Sequence, residues 1–387
     1  MRRSRRCARE AAVHVLATHP YFWPHVARGA EREIHDLGAR LAARGHRVDL
    51  WTGQPRGLTS RRVVDGVGVR YVRTPLPRAL ARRGWTREGV FGAVAAAGAA
   101  GSRADVVLSF LYADALGASL AGHLPGRRGR PVVLKLTGSV PRAYLDAQGQ
   151  RVERALLRRA LDAADEVWVN SGYVVDAMAD WGRPMHVVPA GLDPDLFAPV
   201  APRSARPLIL CTAAPGEPRK RVGDLLGAWR LVREQLPDAA LVLAQSVSVA
   251  DRQRLTDRLD AADRDSVRFA GRLDDAALAH AYSTAWVTVA PAVHEALGLA
   301  TLESLACGTP VAGARSGATP ELLAAPGTGR LFAPGDAVSL AAAVVEAATL
   351  VHDVDTGDRC RAAALRYAWP GVVDRVEERL TGLVGRA

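Results

Sequence analysis

Two carboxylates, Glu295 and Glu303, stand with seven residues between them in the stretch VTVAPAVHEALGLATLESLACGTPVAGARSGATPEL, Val287 to Leu322. Glu295 follows an apolar run of strand character, Ala296, Leu297, Gly298 and Leu299 make a small-residue loop, and Glu303 falls about one turn into the helical pattern that follows. Strand, loop and helix in that order place both acids at the mouth of a parallel sheet, where doubly wound folds bind ligands. Loop amides and the positive end of the helix suit a phosphate there. Carboxylates repel a phosphate, so their chemistry is to accept hydrogen bonds from hydroxyls, and sugar and ribose hydroxyls are the obvious donors.

These acids need a scaffold, and the 387 residues suffice for two domains of roughly 150 residues each. Hydrophobic residues at 49% and charged residues at 24% describe a globular, core-forming chain and exclude disorder, collagen and coiled coil. Strand-like runs alternate with helix-like runs, the pattern of an α/β fold with parallel sheets covered by helices. In the first half the strands are Val13 to Ala17, Arg47 to Thr52, Val69 to Val72, Val106 to Phe110, Val132 to Leu136 and Glu166 to Asn170, with a helix over Glu31 to Arg44 and a hairpin turn at Gly66, Val67 and Gly68. A proline-rich stretch without periodicity, from His186 to Pro207, is the candidate hinge. A second series follows, with strands Leu208 to Thr212, Ala240 to Ala244, Val267 to Ala270, Trp286 to Ala290 and Pro310 to Gly313. Its helices are Val222 to Gln235, Ala276 to Ser283 and Ala300 to Ala306, and an amphipathic helix after Trp369 and Pro370 closes the chain.

Lys and Arg total 51 against 40 Asp and Glu, a formal +11, but only Lys135 and Lys220 are lysines, which leaves 49 arginines. An Arg-rich, Ala-rich chain almost without lysine is what a GC-rich genome encodes, so the charge alone names no partner. Aromatics at 5% and the lack of a nucleic-acid motif leave no nucleic acid as an expected partner. Cys7, Cys211, Cys307 and Cys360 are far apart with no metal spacing, which points to a reduced, cytoplasmic setting. The start resembles a signal segment, but Ala11 to Ala17 is short and interrupted by His14, and reads as a buried strand. No run approaches the ~20 apolar residues of a membrane span. Pro75 to Phe91 gathers Arg78, Arg82, Arg83 and Arg87 around Leu80, Trp85 and Phe91; a plain loop is the preferred reading, with weak peripheral contact to an anionic membrane, at its inner face, as the other.

Beyond the acid pair, four segments carry a family likeness: GAEREIHDLGARLAARGHRVDLWTG (Gly29–Gly53), VVPAGLDPDLFAP (Val187–Pro199), VRFAGRLDDAALAHAYSTAWVTVAP (Val267–Pro291) and GRLFAPGDAVSLAAAV (Gly329–Val344). Over nearly its whole length the chain resembles the retaining glycosyltransferases of the GT-B fold, family 4, whose signature is a Glu, seven residues and a Glu. The resemblance implies two Rossmann-like parallel-sheet domains facing a central cleft, with the C-terminal helix crossing back to the N-terminal domain. It implies an acceptor-binding domain over 1–186, a linker over 187–206, a nucleotide-sugar domain over 207–367 and a returning helix over 368–387. A nucleoside diphosphate sugar, with a UDP-sugar expected, would donate a hexose-type sugar to an acceptor hydroxyl with retention, by a front-face route that needs no metal and no cofactor.

By the same resemblance Glu295 would bind hydroxyls of the donor sugar, the amides from Ala296 to Leu299 its sugar and diphosphate, and Glu303 the ribose hydroxyls. Lys220, in EPRKRVGDLL, matches the family's diphosphate-binding lysine, a compact ammonium suited to phosphate. Gly29, Arg219 and Arg272 complete the expected donor contacts. Three positions depart from the family: Pro215 stands where an arginine is usual, Ala30 replaces the second glycine of a pair begun by Gly29, and Thr137 stands where many members have a histidine. Arg219 or Arg221 is the candidate substitute for the missing arginine.

Two formal DxD triplets, Asp193 to Asp195 and Asp353 to Asp355, lie outside a strand-end context, and His294 with Glu295 starts no HExxH because position 298 is glycine. Competing readings are a basic binding protein for membrane or nucleic acid, and a GT-B relative that epimerises or phosphorolyses sugars. A phosphorylase of that architecture carries a pyridoxal phosphate lysine, for which only Lys135 and Lys220 are available.

Overall fold

The computed structural model describes residues 12–22, 29–54, 59–76, 78, 82, 86–122 and 129–386. These group into two compact units, one made of the described residues up to Asn170 together with Val175–Val188 and the chain from Val372 on, the other of Ser171–Val174 and Pro189–Gly371.

The first unit is built on eight strands: β1 (His14–His19), β2 (Arg47–Gln54), β3 (Ser60–Val64), β4 (Val67–Arg73), β5 (Val106–Ser109), β6 (Val132–Leu136), β7 (Glu166–Val169) and β8 (His186–Val187). Their order is β3-β4-β2-β1-β5-β6-β7-β8, parallel throughout except for β3, which pairs antiparallel with β4. Central strands β5 and β6 are buried at every position, as strands covered on both faces require. The hairpin turn falls at Asp65 and Gly66, and Val67 and Gly68 already belong to β4, one or two residues earlier than the sequence pattern placed it. Phe91, grouped by sequence with a basic surface patch, is fully buried in helix Arg87–Gly101. The rest of that patch falls partly outside the described residues, since Leu80, Arg83 and Trp85 are not among them.

Lys135, on β6, is buried with its Nζ 3.1 Å from Glu33 Oε1 and 2.6 Å from the Val188 carbonyl, and it donates to Asn170 as well. Burial lowers its pKa and the Glu33 carboxylate counters that, so the ion pair is held by close partners on every side. A lysine enclosed in this way is unavailable for a cofactor, which leaves the phosphorylase reading without one of its two candidates.

The second unit carries β9 (Leu208–Cys211), β10 (Ala240–Leu243), β11 (Val267–Phe269), β12 (Val287–Ala290), β13 (Val311–Ala314) and β14 (Gly329–Phe332) in the all-parallel order β11-β10-β9-β12-β13-β14. Numbered within the unit this is 3-2-1-4-5-6, the Rossmann order, and β9 and β12 flank the point where the direction of winding reverses. One face packs on helices Val222–Gln235 and Ala337–Thr349 through Leu225, Trp229, Leu340 and Val344, all fully buried. The other packs on Tyr282, Leu302 and Leu305. Strand β14 is absent from the sequence reading: three of its four residues are only partly buried, so it shows neither an apolar run nor alternation.

The last helix, Trp369–Val384, starts in the second unit, where Trp369 fills the space over Gly191, and from Val372 groups with the first. There Arg44 reaches Asp374 at 2.6 Å, His46 lies 2.9 Å from Glu377, and Arg379 pairs with Glu166 at 3.0 Å. Among the described residues no single helix is long and apolar enough to cross a membrane.

Candidate active site

At the reversal point of the second sheet, β9 leads into a turn at Pro215 and a short 3-10 turn, Pro218–Lys220, while β12 leads into the Glu295 loop. Because β9 and β12 are hydrogen-bonded neighbours, their exits meet, and the Val293 amide donates to the Arg219 carbonyl at 3.0 Å. Both cations of the first exit then turn to the acid of the second: Arg219 Nη1 is 2.6 Å and Lys220 Nζ 2.7 Å from the same Glu295 Oε1. Arg221 takes a different course, in the left-handed region at φ 50°, and pairs with Asp224 at 2.6 Å. Of the two arginines weighed as substitutes at the Pro215 gap, the structure brings Arg219 to the site.

The loop after Glu295 is positioned by its backbone. Ser171 donates to the Ala296 carbonyl at 2.6 Å, the His294 amide to Ser316 Oγ at 3.1 Å, and the Ala318 amide to the Glu295 carbonyl at 2.9 Å. Gly317, at φ 63°, lies so close that a Cβ there would sit 2.5 Å from both the nitrogen and the oxygen of Glu295. Ala296 and Leu297 are buried, and Gly298, at φ 93°, is the N-cap of helix Leu299–Ala306. Among the described residues the amides of Ala296, Leu297, Gly298 and Leu299 have no internal acceptor. Four open N–H groups at a helix N-terminus make a cradle that can take an anion.

Glu303 lies one turn into that helix and accepts a hydrogen bond from the Tyr282 hydroxyl at 3.1 Å. Tyr282 is fully buried, and its OH is also 3.1 Å from Thr212 Oγ1. Burial first, and then the Glu303 charge, push the phenol pKa well up, so it stays a donor and fixes one oxygen of the carboxylate. Arg272, after the edge strand β11, is exposed and makes no ion pair with the Glu295 group, and Gly29 opens helix Gly29–Ala43 in the other unit.

The comparisons with known proteins agree with this topology. A family model described as "Glycosyl transferases group 1" matches residues 206–349, and one described as "Glycosyltransferase Family 4" matches residues 27–196. The 2-deoxystreptamine N-acetyl-D-glucosaminyltransferase of Streptomyces fradiae is 30% identical over 97% of this chain and 98% of its own. The chain belongs to glycosyltransferase family 4. Among other relatives of this family 4 glycosyltransferase, D-inositol 3-phosphate glycosyltransferase 2 of Catenulispora acidiphila is 29% identical over 93% of this chain and 92% of that one. MMP alpha-(1->4)-mannosyltransferase of Mycolicibacterium hassiacum is 30% identical over 45% of this chain, a match that spans 43% of the relative. In fold, the sucrose-phosphate synthase of Thermosynechococcus elongatus superposes with a TM-score of 0.79 at 22% identity, covering 97% of this chain and 100% of that one. Anabaena HepE, solved in complex with UDP-glucose, gives 0.72 at 17% identity over 96% and 100%. The two sheets thus have the GT-B architecture.

In this glycosyltransferase both DxD triplets have structural tasks. Asp193 Oδ1 accepts the amides of Asp195 and Leu196, at 3.1 Å each, and Asp353 pairs with Arg359. No group of three metal-ligating side chains occurs among the described residues. Five contributors escaped the sequence reading: Ser171, Thr212, Tyr282, Ser316 and Gly317. Only the glycine has a local signature, the SGA turn after β13, and that alone does not say what it packs against.

Proposed function

We propose that the protein transfers a hexose-type sugar from a nucleoside diphosphate sugar, with UDP as the expected carrier, to an acceptor hydroxyl with retention at the anomeric carbon. The observation that carries the reading is the convergence of Arg219 and Lys220 on Glu295 Oε1 beside four open amides. Two cations sharing one carboxylate are held where a diphosphate can take them over, and the cradle supplies further donors without reorganisation. Glu295 is then left to accept from hydroxyls of the donor sugar, and Glu303, one oxygen fixed by Tyr282, from those of the ribose. The leaving phosphate would take the acceptor proton on the same face of the sugar, so no enzyme nucleophile is required. The HepE complex with UDP-glucose, a protein of the same fold, supports a nucleotide-sugar donor.

The test is product stereochemistry: NMR of the glycoside formed from a UDP-sugar should show the anomeric configuration of the donor, and inversion would remove the front-face route. The ribose assignment is checked separately. Glu303→Ala should weaken donor binding by about tenfold to a hundredfold, the loss expected for hydrogen bonds to a charged acceptor, in a calorimetric titration with the UDP-sugar. Unchanged donor affinity would take Glu303 out of the binding site.

A further inference from the structure

The first unit holds a cavity of about 560 Å³ lined by none of the residues discussed as donor contacts. Strand register explains its chemistry. His14 pairs with Arg47, Trp51 with Arg70 and Arg61 with Arg70, so with Asp49 these side chains share one face of β1, β2, β4 and β3. The opposite face carries Val48, Leu50, Val67 and Val69, all buried. Arg103 also lines the cavity, which brings four arginines, Arg47, Arg61, Arg70 and Arg103, together against a single carboxylate, Asp49.

That carboxylate is already taken by His14 at 2.7 Å and Arg47 at 3.0 Å. Among the described residues Arg61, Arg70 and Arg103 have no carboxylate partner. Arg70 is the most telling of them. Its guanidinium lies over the Trp51 ring, 4.3 Å from the centroid, and its Nε is buried with no hydrogen-bond partner. The indole is held in turn by helix Arg87–Gly101, where a Cβ on Gly98 would come within 2.8 Å of it. A guanidinium held in place on the wall of the cavity, among others without counter-charge, suits an anion. Guanidinium groups pair bidentately with carboxylate and phosphate oxygens, and several around one cavity match the higher charge of phosphate groups.

We propose that this cavity binds a small soluble ligand that carries phosphate groups, with Arg70 as its fixed contact and Arg61 and Arg103 as further ones. The volume suits a sugar phosphate or a short polyphosphate. His14 and Arg47 begin their strands and Arg103 precedes β5, so the cavity opens on the N-terminal halves of the strands. Doubly wound folds bind their substrates at the other strand ends. The ligand is therefore an effector or a retained product group rather than the reacting sugar.

Isothermal titration of the full chain with inorganic tripolyphosphate tests this on the wild type, on Arg61→Ala/Arg103→Ala and on Lys220→Ala. Both substituted arginines are exposed, so the fold should survive, as circular dichroism will verify. We expect a binding step that persists in Lys220→Ala and weakens about tenfold or more in the double variant, as loss of charge-assisted contacts requires. Binding that is indifferent to the arginines, or that vanishes only with Lys220, overturns the site. Cosedimentation with phosphatidylglycerol vesicles separates the lipid source: vesicle binding that needs Arg61 and Arg103, with no tripolyphosphate step, would also overturn a pocket for a soluble ligand.

Discussion

On the front-face route proposed above, Lys220→Ala should lower kcat by about 10²–10³-fold, the cost of removing one pre-set donor from the leaving phosphate. The prediction rests on geometry: Nζ lies 2.7 Å from Glu295 Oε1 and the side chain is only 23% exposed, so its charge is poorly screened. Arg219 shares that oxygen at 2.6 Å but is 45% exposed, and its own loss should be milder. Lys220→Arg is the informative companion, because a planar guanidinium does not reproduce a compact ammonium and rescue should be incomplete. Steady-state kinetics on a folded variant decides the matter. A kcat within twofold of wild type would show that the lysine merely balances Glu295.

The second large effect belongs to a residue with no side chain. Gly317→Ala puts a Cβ 2.5 Å from the backbone nitrogen and oxygen of Glu295, contacts that no rotamer change relieves because both partners are main chain. The φ of 63° adds a left-handed strain of about 1 kcal/mol for any other residue. The loop must retreat, carrying the Glu295 carboxylate and the first cradle amides with it, and a displacement of about 1 Å at such a site costs on the order of a hundredfold in kcat/KM. Gly382→Ala, in the last helix with open space around it, is the control and should leave activity unchanged. Equal activity of the two variants would mean that the loop has no unique working position.

Much of this is legible in the sequence. Strands β9, β10 and β12 are short apolar runs between turn residues, helix Val222–Gln235 follows its pattern from end to end, and the acid pair announces its loop by spacing. The illegible parts share a physical cause, which is that they depend on contacts between distant segments. Arg219 meets Glu295 across 76 positions, and the value of Gly317 lies in what it presses against rather than in its own neighbours. Tyr282 looks like an ordinary core aromatic in helix Asp275–Thr284 until its hydroxyl is seen between Thr212 and Glu303. Strand β14 needs β13 beside it to be a strand at all.

The closing helix bears on how such chains could be recombined. Its Val372, Val373, Val376 and Leu380 are buried, and its Asp374, Glu377 and Arg379 hold Arg44, His46 and Glu166 in the first unit. A cut after Val188 therefore does not free a self-sufficient half: the leading piece would be missing a wall of its own core and the partners of Arg44, His46 and Glu166. Exchange of the second unit between homologous transferases has to be done as an internal cassette, with the last helix from Val372 travelling with the first unit.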